Sequence, residues 1–130
     1  MTAELNRSLS ELTNIEFVRD DSGSSLARRV RAACDVPIGQ LDPGRVALLI
    51  RQDVGRDHVI RRALDILQQD PLIEAQVSRG DLLRTVLDLP HEFWTHHEED
   101  YQTVHQILME LDEAIDELTP SRASFASFLS

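Results

Sequence analysis

Apolar residues recur at three- and four-residue intervals along most of the chain, which predicts helices rather than strands. The densest stretch is Leu48–Trp94. Asp42-Pro43 supplies an N-cap with proline at the first helical position, opening a helix that carries Val46, Leu49 and Ile50. That helix is expected to stop at Gly55, because glycine adopts a positive φ at little cost. Val59, Ile60, Ala63, Leu64 and Leu67 form one face of the next helix, closed by Asp70-Pro71. Ser78-Arg79-Gly80-Asp81 reads as a cap, with the serine oxygen accepting a backbone N–H and Asp81 reaching back. The helix it opens buries Leu82, Leu83, Val86 and Leu87. Pro90 begins a further helical turn, and Phe93 and Trp94 are large anchors beyond it.

The flanks carry weaker versions of the same pattern. Ser8-Leu9-Ser10-Glu11 is a capping box for a short first helix. Ile15-Glu16-Phe17-Val18 reads as a brief extended piece, and Asp20–Ser24 as a turn or linker. A helix from about Ser25 puts Leu26, Val30 and Ala33 on one face, with Arg28, Arg29 and Arg31 on the others, until Pro37-Ile38-Gly39 breaks it. After Trp94, Thr95 is expected to cap a long last helix whose Tyr101, Val104, Leu108, Leu111, Ile115 and Leu118 form a heptad seam. Pro120 is expected to end it. The pattern therefore predicts one all-α domain over residues 1–119, an irregular bundle of about five to seven helices, followed by a flexible tail over 120–130.

Composition narrows the function. The chain has 130 residues and a net charge of −10, and every cation is an arginine. Up to Arg84, 12 arginines nearly balance 13 acidic residues; from Thr85 to Ser121 there are 10 acidic residues and no cation. The acidity is thus one block. It argues against nucleic-acid binding, which needs basic charge to displace counterions, and for a basic partner. No apolar run approaches the roughly 20 residues that span a bilayer, and nothing resembles a secretory signal, so the expectation is a cytoplasmic protein without membrane contact. The lone Cys34 has no internal partner and sits where a helix would bury it.

Chemistry is sparse. Glycines are scattered at corners rather than gathered into a phosphate-cradling loop, and no nucleophile elbow is visible. His91, His96, His97 and His105 cluster in sequence among acids, but without His-Glu-x-x-His or a cysteine pair they read as surface histidines rather than metal ligands. The reading is of a non-enzyme that needs no cofactor and no metal.

The order Leu49-Ile50-Arg51-Gln52, Gly55, Ala63-Leu64, Asp70-Pro71-Leu72, Gly80-Asp81-Leu82-Leu83, Val86-Leu87 and Phe93-Trp94 resembles the immunity proteins of bacterial contact-dependent growth inhibition (CDI) systems. Ser8–Leu12, Leu26 and Pro37-Ile38 fit the same pattern, so the resemblance covers roughly Ser8–Trp94. It implies a small helical protein that binds and neutralises the C-terminal toxin domain of its cognate effector, without identifying the toxin. The acidic block adds the expectation of a nuclease, occluded by a monomer in a one-to-one complex. On charge, the expected contacts are Glu98, Glu99, Asp100, Glu110, Glu113 and Glu117; the competing reading of this run is a solvated surface. The alternative function is a structural or regulatory helical module that self-associates through Tyr101–Leu118.

Overall fold

The computed structural model describes residues 5–13 and 24–129. The elements are α1 (Leu9–Thr13), α2 (Ser25–Cys34), a 3-10 turn (Ile38–Gln40), α3 (Pro43–Arg51), α4 (Arg56–Gln69), α5 (Asp81–Leu87), α6 (His91–Thr95), α7 (Glu98–Ala126) and a closing 3-10 turn (Ser127–Leu129). The all-α expectation holds. The expected extended piece at Ile15–Val18 and most of the Asp20–Ser24 turn lie outside the described residues.

α4 is the hub. It packs on α3, α5, α7 and the 3-10 turn. It can do so because its buried face is broad: Val59, Ile60, Ala63, Leu64, Ile66 and Leu67 cover an arc of about 160°. Covering each large side chain contributes about 1.5–3 kcal/mol, so this helix carries much of the fold's stability. α3 lies against it and buries Val46–Ile50 without a break. A helix buried nearly all round needs neighbours on several sides, and α2, α4 and α5 supply them. α1 contributes the fully buried Leu9, and its capping box forms as expected, with Glu11 N–H donating to Ser8 Oγ at 3.2 Å.

Most of the expected caps form. Ser24 Oγ accepts from Ala27 N–H at 3.0 Å, and Asp42 Oδ1 accepts from Arg45 N–H at 2.8 Å. The α3–α4 corner differs from expectation. α3 closes at Gln52, and Asp53 takes the left-handed conformation usually given to glycine, with φ 55°. Asp53 N–H donates to Ile50 O and Val54 N–H to Leu49 O, the paired bonds of a Schellman motif. Arg56 Nε donates to the same Ile50 carbonyl at 2.8 Å and Nη1 reaches Asp53 at 3.4 Å, which secures the aspartate. Gly55 instead begins α4, with φ 63°; a Cβ there would lie 2.5 Å from Leu9 Cδ2.

The last helix differs most. Thr95 ends α6 rather than capping α7: its hydroxyl donates to Glu92 O, and His97 holds the N-cap position. Pro120 does not end the helix, which runs on to Ala126. From Asp112 to Phe128 every residue is exposed, so the distal half of α7 projects past the bundle.

Candidate functional site

α7 is the element that positions all six expected contact residues, so its anchoring matters. His97 stacks on Phe93, with centroids 4.1 Å apart and planes 11° from parallel. Its Nε2 lies 2.6 Å from Asp57 Oδ1 on α4, and its Nδ1 lies 3.4 Å from Asp100 Oδ2. Arg61 Nε reaches the other oxygen of Asp100 at 3.3 Å. Asp100 is buried, and this pairing accounts for how a carboxylate is tolerated there. The buried line of α7 is therefore Asp100, Val104 and Ile107, followed by the half-buried Leu111. That corrects the expected seam by a small rotation: Tyr101, Ile115 and Leu118 are exposed, and Ile107 takes a place the expected seam omitted.

The other faces of α7 follow from the helix period. Glu99, Glu110, Glu113 and Glu117 share a stripe about 60° wide, centred about 115° round the helix from the buried line and about 27 Å from first to last. All four are exposed, and Glu110 accepts a bond from Gln106 Nε2 at 3.3 Å. Glu98 is exposed on the flank of that stripe, while Asp100 points into the fold. Five of the six expected contacts are thus presented to solvent, and Asp100 is engaged internally.

A second surface lies between α5, α6 and α7. Leu87, His91, Trp94, Tyr101, Val104, His105 and Leu108 line a groove of about 210 Å³. Trp94 meets Phe93 and Tyr101 edge to face, with centroids 5.1 and 5.9 Å away. Two of the clustered histidines, His91 and His105, therefore border an apolar groove, while His97 is an anchor for the helix.

A third feature was read only in part from the sequence. The loop before α5 is gathered by Asp81, whose buried carboxylate accepts from the N–H groups of Ala75 (2.7 Å), Gln76 (2.9 Å), Val77 (2.9 Å) and Ser78 (3.4 Å). Burial alone would raise this carboxyl's pKa; the backbone donors outweigh it and hold the group below the usual carboxylate range. The expected reach back by Asp81 is present, but it spans a whole loop, and Gly80 rather than Ser78 is the N-cap. The loop is tied to α3 by Arg51 Nη1 to Gln76 Oε1 and by Gln76 Nε2 to Gly44 O. It leaves Val77 79% exposed at its tip.

A family model described as CDI immunity proteins matches residues 11–104. The chain belongs to that family. The match runs from Glu11 in α1 to Val104 in α7, so it includes the Asp81 loop and the His97 anchor. The immunity protein's distal α7, with Glu110, Glu113 and Glu117, lies beyond the matched residues. No curated protein and no solved structure shows a significant match to the chain. Family membership supports a role in immunity against CDI toxins. Among the described residues no helix is long and apolar enough to cross a membrane, and no group of three or more histidine, cysteine and acidic side chains is placed to hold a metal ion.

Proposed function

We propose that the protein neutralises the C-terminal toxin domain of its cognate CDI effector, a nuclease, in the cytoplasm by binding it one to one and covering its active site or substrate surface. The inhibitor performs no chemistry of its own. The observation that carries the role is the family match over residues 11–104. The acidic face of α7 is the docking surface: Glu99, Glu110, Glu113 and Glu117 with Glu98 beside them, and no cation between Thr85 and Ser121 to neutralise them. A nuclease gathers substrate phosphates with a cationic cleft, and an array of carboxylates spread over about 27 Å competes in the same field. Steering of this kind gives fast association that weakens with salt.

Titrating the purified toxin domain into the double variant Glu113→Lys/Glu117→Lys tests this reading. Affinity at low salt should fall about tenfold to a hundredfold. The melting temperature should stay within about 2 °C, because both side chains are exposed. Unchanged affinity would remove the acidic face from the interface.

A further inference from the structure

The apolar groove between α5, α6 and α7 has no part in the acidic stripe. Its floor is the buried Val104, with the half-buried Leu108 beside it. Leu87 and Tyr101 line it from α5 and α7 and remain 45% and 49% exposed. Trp94, half-buried, stands edge to face against Tyr101 and makes an aromatic corner with it. At about 210 Å³ the groove is smaller than the roughly 300–1,000 Å³ that encloses a drug-sized ligand, so it suits a single side chain of a larger partner. The side chains of Val104 and Leu108 offer water no hydrogen bond, so water there is readily displaced by an apolar group.

We propose that this groove receives an apolar side chain of the cognate toxin domain, from a segment that carries a cation on each side of that residue. Charge along α7 chooses the occupant. Glu98, Tyr101, His105, Leu108 and Asp112 follow one another at spacings of three and four, so they share a stripe about 80° wide and about 21 Å long. The middle three line the groove, and each end is an exposed carboxylate about 10 Å from the groove's centre. Every residue lining the groove belongs to the stretch from Thr85 to Ser121, which holds 10 acids and no cation. On α5, Arg84 and Asp88 flank Leu87 and offset one another. An acidic segment would be repelled here, and a wholly apolar one would leave both carboxylates unmatched; an apolar residue between two cations matches the groove and both its ends. Trp94 and Tyr101 are residue types that dominate binding energy when a partner covers them. Leu87, His91, Trp94, Tyr101 and Val104 also fall within the family match, whereas Glu110, Glu113 and Glu117 lie beyond it. The groove stripe is centred about 135° round α7 from those glutamates, on the other side of the buried line. The inference therefore rests on the immunity reading, which supplies the toxin as partner, and not on the acidic stripe.

Trp94 is the chain's only tryptophan, so fluorine-labelled tryptophan gives the full-length protein a single fluorine NMR resonance at the groove. The test mixes the labelled protein with the unlabelled C-terminal domain of the effector encoded immediately upstream, with complex formation followed by sedimentation. The resonance should shift in the complex. Leu87→Lys should weaken binding at least about tenfold and Leu87→Glu clearly less: both remove the same apolar surface, but only the first sets a cation against the partner's cations. Both variants should melt close to the wild type, since Leu87 is exposed. Glu98→Gln/Asp112→Asn should weaken binding about tenfold at low salt and little at high salt. A complex that leaves the Trp94 resonance unmoved, or equal losses in the two Leu87 variants, would overturn the groove while leaving the immunity role standing. No complex at all would overturn both.

Discussion

Replacing Asp81 by alanine tests the physical reading of the loop before α5. The carboxylate accepts three bonds of 2.7–2.9 Å and a fourth of 3.4 Å. Removing it strands the Ala75 N–H on a half-buried residue, where the lost bond costs about 2 kcal/mol. Gln76, Val77 and Ser78 are exposed, so their N–H groups recover water and the loss is about 0.5–1 kcal/mol for each of the two good bonds. The expected destabilisation at neutral pH is about 3–4 kcal/mol. Asp81→Asn should lose about half of that, because its amide oxygen retains part of the acceptor capacity. The pH dependence follows from the lowered pKa. A carboxyl depressed in the folded state contributes stability above its unfolded value of about 3.9, and loses it as pH falls through the folded value. Urea unfolding followed by circular dichroism at pH 7 and pH 3 measures both effects. The wild type should lose stability over that interval and on further acidification, and the alanine variant should lose measurably less. A variant within about 1 kcal/mol of wild type at pH 7, with an unchanged pH slope, would refute the account of the loop.

Other expectations can be checked on the same footing. Gly55→Ala should cost about 2–3 kcal/mol, because a left-handed φ of 63° and a Cβ only 2.5 Å from the fully buried Leu9 act together. Gly80→Ala should cost only about 1 kcal/mol, since its Cβ would find Leu72 at 3.7 Å and meets strain without a clash; equal losses in urea melts would contradict this. Cys34 is buried, with desolvation foremost and the neighbouring Asp35 charge pushing its thiol up to about 11. A disulfide reagent at pH 8 should therefore label it only as the protein unfolds. Because the folded thiol is the weaker acid, stability should decline as pH rises through the unfolded value of about 8.5. Asp100→Ala should cost about 1–2 kcal/mol and speed amide exchange in the first turns of α7, since Arg61 and His97 lose their buried partner.

Much of the bundle was legible because periodicity and caps agree. The apolar face of α4, the Asp42-Pro43 start of α3 and the Ser8–Glu11 box all follow from local rules that tertiary packing reinforces. Reading failed where a side chain overrode a local signal. Asp53 took the left-handed position that seemed to belong to Gly55, because Arg56 folds back to bind it and the Ile50 carbonyl. A charge hid the phase of α7: Asp100 starts the buried line, and its spacing to Val104, Ile107 and Leu111 is the regular one, but an aspartate does not look like a core residue until Arg61 is placed beside it. The i,i+4 pair Asp57 and Arg61 on α4 carried a trace of that cluster. Pro120 was read as a stop, yet the helix absorbs it in a stretch surrounded by solvent, where the carbonyl left without its N–H can bond to water. The acidic stripe itself was visible from spacing, and the structure adds which of its members face out.

The proposed inhibition acts through direct binding of this immunity protein to its own toxin domain. Its most direct test is capture of the C-terminal domain of the effector encoded immediately upstream by the tagged, folded full-length protein, at low and high salt, with the toxin's activity followed in the same samples. One toxin domain should be retained per chain and activity lost in proportion to the complex, with capture weakening as salt screens the acidic face. No capture at either salt, or capture that leaves the toxin active, would contradict it.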